Sequence, residues 1–501
     1  MSTEIPHVSE QSGDRAPERL ALTHATVIDG TGAGPAHDMT VLVEDGRITT
    51  IGRSAEVPVD AGVRTADLTG KYLIPGLVDA HVHSPALEEI TPPLYPLAGV
   101  TTVREMWGEP LHHTWRRKID DGELLGPRWV IGSSMVDGTP SLWADDAGSV
   151  ILAGDEHAAR QAVRQVKADG ADFVKVYSRL SREAYLAVAD EARRLGIPFT
   201  GHCPDAVPVA EASSAGQRSI EHLHALLLST ASREQETEIR RGLAEVRLEP
   251  VPSSLDRYHR WFEQIHELEG QAVRSYDRER ARSLFHRLAA NGTHVTPTLT
   301  VHHMLERPGE LPSHAPEWTY LPRWMTASWP DILESLIGGR TARQAELVRA
   351  AYAHRLRLVG ELHRCGVPIL AGTDTGTGYA VPGFALHDEL NFLVEAGLTP
   401  MQALQSATSA PARFLGLGDR TGTVEQGRAA DLLVLDADPL HDIRNTRKID
   451  SVVLRGRLIG AAKRRRLLAA VEKAAADAAP PADGTMVSGG CGCSLHPRTR
   501  P

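Results

Sequence analysis

The sequence predicts an α/β fold: a TIM-like (β/α)8 barrel over residues 76–419, joined to a small β-sandwich domain built from both chain ends. Three observations carry this. Short apolar runs alternate with amphipathic helical segments through the middle of the chain. Turn-punctuated β segments stand at both ends. Histidines, a lysine and an aspartate recur where the central apolar runs stop.

Residues 1–18 are polar and mixed in charge, and read as a disordered tail. From 19 to 75 short strands alternate with turn signals, and Asp45-Gly46 between two of them is a hairpin signature. A matching β-rich stretch lies at 420–462. Pairing the two would cover the exposed strand edges of both. Between them eight strand candidates occur, at 77–81, 101–105, 128–133, 172–177, 198–202, 219–222, 294–299 and 368–373. Ala159, Ala162, Val163 and Val166 share one helix face that ends at Gly170. Ser181 is placed to cap the next helix, whose face is Tyr185, Val188, Ala189, Ala192 and Leu195, with Gly196 as its stop. An open doubly wound sheet is the rival topology, but no glycine-rich phosphate turn follows the first strand.

Two long segments, 225–290 and 301–362, break the rhythm. Both follow strands, so both are expected over the barrel mouth as a lid or substrate wall, or packed on its flank. Residues 463–501 read as a short helix, where Lys463, Arg464, Arg465 and Arg466 form a solvated face, then a disordered tail carrying Cys491 and Cys493.

Composition excludes several function classes. Lys and Arg number 54 against 64 Asp and Glu, a net charge of −10, which speaks against a nucleic-acid partner. No apolar leader and no run of 18 apolar residues is found, and four cysteines suit a reducing compartment. The expectation is a cytoplasmic protein with a small-molecule or short-peptide substrate and no membrane partner. Self-association as a homo-oligomer is compatible with it.

Barrel enzymes carry their chemistry at the C-terminal strand ends. There the sequence places His81 and His83 (a His-x-His pair on one strand face), Arg104, Lys175, His202, His222 and Asp374. Imidazole and carboxylate suit zinc-like cations. Lys175 lies inside an apolar strand, where an ammonium is costly and a neutral amine can become a carbamate ligand. Tyr177, one pleat on, is a candidate substrate contact or a packing residue. Arg104 is a candidate for a substrate carboxylate, or for a structural ion pair. His387, at the start of the helix after the eighth strand, is a candidate to orient Asp374, or a surface residue.

These motifs resemble the amidohydrolase superfamily. The matching pieces are Pro75-Gly76-Leu77-Val78-Asp79-Ala80-His81-Val82-His83, Gly99-Val100-Thr101-Thr102-Val103-Arg104, Gly201-His202-Cys203-Pro204, Ile220-Glu221-His222, Gly372-Thr373-Asp374 and Gly427-Arg428-Ala429-Ala430-Asp431. Within it the chain is similar to the branch of imidazolonepropionase-like proteins, prolidases and other dipeptidases. The resemblance implies two divalent metal ions, expected to be zinc. His81, His83 and Asp374 would hold one, His202 and His222 the other, with Lys175 bridging as N6-carboxylysine. It also implies Asp374 as catalytic base and then acid, and hydrolysis of an amide or peptide-like C–N bond. A cyclic amide or a lactone is the alternative substrate for the same site. A metal-free scaffold is the alternative from another class.

Overall fold

The computed structural model describes residues 19–143, 150–248, 251 and 253–480. Both expected tails, with Cys491 and Cys493, lie outside these.

Strands β1 (Arg19–Val27), β2 (Ala36–Glu44), β3 (Arg47–Arg53), β4 (Arg64–Asp67) and β5 (Tyr72–Pro75) come first. The central strands are β6 (Leu77–Val82), β7 (Val100–Glu105), β8 (Arg128–Asp137), β9 (Val150–Leu152), β10 (Phe173–Val176), β11 (Phe199–Gly201), β12 (Ser219–Glu221) and β13 (His294–Thr296). Strands β14 (Leu432–Leu435), β15 (Ile449–Leu454) and β16 (Arg457–Ile459) complete the set.

The two chain ends form one hydrogen-bonded sheet, in the order β16-β15-β14-β5-β1-β2-β3, with β4 on β1. The join is β5, parallel to β1 and antiparallel to β14. Leu20, Leu22, Val41 and Ile48 from one end and Leu432, Val434 and Val453 from the other share a core. Asp45 and Gly46 both take positive φ, the primed turn that a two-residue hairpin requires. Arg455 and Gly456 repeat this between β15 and β16. The two hairpin tips touch, and a Cβ on Gly456 would come within 2.5 Å of the Gly46 Cα.

The second sheet runs β13-β12-β11-β10-β8-β7-β6, with β9 extending it beside β8; every pairing is parallel. Residues 368–375 close the ring. The Leu370 amide donates to the Val295 carbonyl (2.9 Å), and the Ala80 amide to Ala371 (2.9 Å). Only isolated bridges form, Val295 with Ile369 and Val82 with Thr375, because the chain then wraps His81: the Thr373 and Asp374 amides both donate to its carbonyl. The eighth strand is thus bent around the residue it helps to place.

The helices follow their caps. Ser181 Oγ accepts from the Ala184 amide, and Gly196 ends that helix at φ 65°. Ala159, Ala162, Val163 and Val166 are buried on the preceding one. The long segments are helical. After β12 come His224–Leu228, Arg233–Glu245, Ser254–Arg274 and Arg278–Ala290; after β13 come Leu299–Glu306, Arg323–Ile337 and Ala342–Arg364. The basic cluster is only partly a solvated face. Lys463, Arg465 and Arg466 are exposed, but Arg464 donates to the carbonyls of Leu97 (2.7 Å) and Ile449 (3.1 Å) and anchors the last helix. Among the described residues no helix is long and apolar enough to cross a membrane.

Candidate active site

The strand ends converge. Asp374 Oδ1 lies 3.0 Å from His81 Nε2 and 3.1 Å from His83 Nε2, and the two Nε2 atoms are 3.3 Å apart. The His222 ring is centred 5.0 Å from His81 and 4.8 Å from His202. One donor atom each of His81, His222 and Asp374 lie within 4.8 Å of one another, all buried. Lys175 is fully buried at the end of β10, and its charge helps depress the imidazoles of His83, His202 and His222. Tyr177 stacks its ring 4.0 Å from that of His202, and Lys175 Nζ sits 5.9 Å from the Tyr177 ring.

For three of the four histidines the inward nitrogen is aimed by the outward one. His81 Nδ1 donates to Glu221 Oε2 (2.9 Å), a carboxylate that also accepts from Arg104. His222 Nδ1 meets Thr298 Oγ1 at 2.6 Å. That hydroxyl already donates to the Pro297 carbonyl, so it must accept from the imidazole, which leaves a lone pair on His222 Nε2. His202 Nδ1 meets Ser178 Oγ at 2.7 Å. Such partners fix ring orientation and tautomer.

Burial first, and the neighbouring cationic groups after it, push His83 down to about 4 and His202 and His222 well below the usual imidazole range. Burial would raise Asp374, but His81 and His83 hold it well below the usual carboxylate range. His83, His202 and His222 are therefore neutral beside an ionised carboxylate, the protonation states a divalent cation requires. His202 Nε2 and His222 Nε2 are buried without a hydrogen-bond partner among the described residues. Orphaned polar atoms of this kind are costly unless something binds them, so the residues fit a metal centre.

The backbone is strained here. His222 and Asp374 adopt φ of 62° and 57°, left-handed values unusual for residues other than glycine. Each costs about 1–3 kcal/mol and persists where surroundings over-determine it. The His222 amide is tied to the Thr296 carbonyl (2.9 Å), and the Asp374 amide to that of His81 (2.8 Å).

Two candidate contacts are placed elsewhere. Arg104 lies under the site, fully buried. It donates to the Ala80 carbonyl, to Ser219 Oγ (3.0 Å), to Thr296 Oγ1 (3.2 Å) and to both oxygens of Glu221 (2.9 and 2.8 Å). With these donors spent inside the barrel, it is the structural ion pair and not a substrate ligand. His387 neither orients Asp374 nor lies on the surface. Its Nδ1 meets Thr446 Oγ1 (2.9 Å), and its Nε2 donates to the Ala98 carbonyl (3.0 Å), pinning the helix Ala385–Glu395 to its neighbours.

Burial pushes His387 down to about 3. Its folded pKa is below the unfolded value of about 6.5, so folding is unpenalised above that pH and destabilised as pH falls from about 6.5 toward 3, by about 1.4 kcal/mol per unit. His387→Gln should therefore flatten the pH dependence of unfolding by up to one proton between pH 6.5 and 4. Urea unfolding at pH 7, 6 and 5 checks this; equal slopes would show that His387 takes no part.

Residues not singled out from the sequence complete the site: Glu221, Ser178 and Thr298 behind the histidines, and His302 on the pocket wall. Glu221 sat inside a recognised motif. Strand alternation sends it away from His222, and only the left-handed turn at His222 lets both face inward.

The arrangement has clear relatives. Residues 279–459 match the amidohydrolase family. The putative prolidase from Bifidobacterium longum superposes with a TM-score of 0.62 at 26% identity, over 92% of this chain and 99% of that one. Over the segment 279–459 the chain is similar to the amidohydrolase family. A bottromycin amidohydrolase superposes with a TM-score of 0.70 at 23% identity, covering 92% of this chain and 91% of the other. Ochratoxinase from Aspergillus niger is 36% identical over 102 residues, and imidazolonepropionase from Thermoplasma volcanium 35% identical over 80. These stretches cover 20% and 16% of this chain, and 20% and 19% of the relatives. The chain thus matches these two curated relatives over about a fifth of their length.

Proposed function

We propose that this protein is an amidohydrolase, a metal-dependent hydrolase of an amide C–N bond in a small molecule or short peptide. The observation that carries the reading is the convergence of His81, His83, His202, His222 and Asp374 on one buried pocket beside Lys175, with the Nε2 atoms of His202 and His222 buried and without a hydrogen-bond partner among the described residues. His81, His83 and Asp374 would hold one divalent ion, and His202 and His222 a second, with Lys175 between them as a carbamate. Ions held there supply Lewis acidity and bring the pKa of water toward neutrality.

The chain's own groups do the rest. Asp374 Oδ1, kept ionised by His81 and His83, takes the proton of the attacking water and returns it to the leaving nitrogen. The Tyr177 hydroxyl, fixed by Trp143 Nε1 (3.0 Å) and by the Tyr258 hydroxyl, borders the space beside His202. Helices of the two insertions supply apolar residues that line the pocket beside His202, His222 and Asp374. The similarity to a prolidase and an amidohydrolase supports C–N cleavage.

Metal analysis of the purified protein is expected to find up to two zinc-like ions. Chelation should abolish hydrolysis of a panel of dipeptides and N-acyl amino acids, and re-addition should restore it. Lys175→Ala should lower metal content with the fold retained. Undiminished turnover in a chelated, metal-free sample would end this reading.

A further inference from the structure

The space above the ligands divides into two chambers that meet at His202, His222, His224 and Trp261. One has a mixed lining, in which Asp205, Glu236 and Arg240 stand beside Leu228, Ile239 and Leu243. The other reaches Asp374 and is walled by Tyr258, Trp261, Phe262, Val301, Leu305 and Leu336. Every one of these six comes from the two insertions, 225–290 and 301–362.

Besides His202 Nε2 and His222 Nε2 of the ligand set, the lining of this chamber carries, among the described residues, a third buried imidazole nitrogen without a hydrogen-bond partner, His302 Nε2, on the insertion side. Its chemistry is fixed from behind. His302 Nδ1 lies 3.3 Å from Glu306 Oε1, which also accepts from Arg355 Nε at 2.8 Å. An oxygen already accepting from a guanidinium is an acceptor, so Nδ1 carries the proton and Nε2 presents a lone pair. Arg355 also binds Glu269 (2.7 Å), which holds His224 Nδ1 (2.6 Å). The group Glu269, Glu306 and His266 has the donor spacing of a cation site. Arg355 already bridges its two carboxylates, so the group serves as a brace for the wall.

We propose that the apolar chamber is the side-chain subsite for a bulky aromatic group bearing a hydrogen-bond donor, a phenol or an indole, next to the scissile amide, with His302 Nε2 accepting that hydrogen bond. The inference rests on the amide-hydrolase reading for what lies beside the subsite. Aromatic walls supply non-selective affinity, and a buried acceptor on the wall away from the metal ligands supplies discrimination, because an apolar ligand leaves it unsatisfied.

The test is binding to metal-free protein, which separates this inference from the hydrolytic one. Calorimetric titration with N-acetyl-tyrosinamide, N-acetyl-phenylalaninamide and N-acetyl-alaninamide should give affinities in that order. The tyrosine derivative should exceed the alanine one by at least about 10-fold, and the phenylalanine one by about 5-fold. His302→Leu should erase the tyrosine–phenylalanine difference, and Leu336→Trp should remove binding of both. Val301→Phe serves as a second filling variant if Leu336→Trp fails to fold by circular dichroism. Equal affinity for the alanine and tyrosine derivatives, or tyrosine binding untouched by filling the chamber, overturns the subsite. Selective binding without hydrolysis of any amide by the metal-loaded protein upholds the subsite and sinks the hydrolase.

Discussion

Asp374→Asn is expected to lower amide turnover by about 10³-fold or more, the upper part of the range for losing a general acid–base. The substitution is chosen for the backbone. Residue 374 sits at φ 57°, and asparagine tolerates the left-handed region better than other non-glycine residues. The side-chain volume and the tie of its amide to the His81 carbonyl are retained. What is lost is the charge. Asp374 Oδ1 faces two imidazoles at 3.0 and 3.1 Å and is held ionised by them. An amide there neither accepts the water proton nor returns one to the leaving nitrogen. Steady-state kinetics with metal content measured on the same samples separates the two roles of this residue. A large fall in kcat at full metal occupancy identifies proton transfer. A fall that tracks metal loss identifies ligation alone. A loss under about 10-fold with metal intact removes Asp374 from the chemistry.

Legibility in the sequence followed the range of the interaction. The Asp45-Gly46 hairpin, the Ser181 cap and the Gly196 stop depend on residues within a few positions, and they stand where the sequence put them. His81 and His83 were legible for the same reason: a two-residue period on a strand settles which face they share. Arg104 was not. Its residue type suited either an ion pair or a substrate carboxylate, and the choice was made by Glu221, 117 positions away, through a barrel closure that local pattern does not encode. His387 failed likewise, because Thr446 and Ala98 decide its environment. The insertions were legible as departures from the β/α rhythm, yet their six-residue apolar wall arises where two separate segments meet. Periodicity within either segment marks a buried face and says nothing of the cavity between them.

Arg104→Met is expected to destabilise the fold by about 3–5 kcal/mol, the cost of leaving a buried partner charge uncompensated. Arg104 and Glu221 are both fully enclosed, and the guanidinium also lies over the Phe414 ring at 5.1 Å. Were Arg104 a substrate ligand, the same change would raise KM with stability intact. Denaturant unfolding of the metal-free protein distinguishes the two. Arg104→Met combined with Glu221→Gln should recover part of the lost stability, since the orphaned carboxylate is then neutral. Metal binding should not recover with it. Glu221 also accepts from His81 Nδ1, and neutralising a carboxylate behind a ligating imidazole weakens metal affinity by about 10–100-fold. The pair is therefore expected to split two properties: Arg104→Met falls mainly on stability, and Glu221→Gln on the metal dissociation constant. If Glu221→Gln binds metal as tightly as the parent, the carboxylate serves only its arginine, and His81 needs no help to face the pocket.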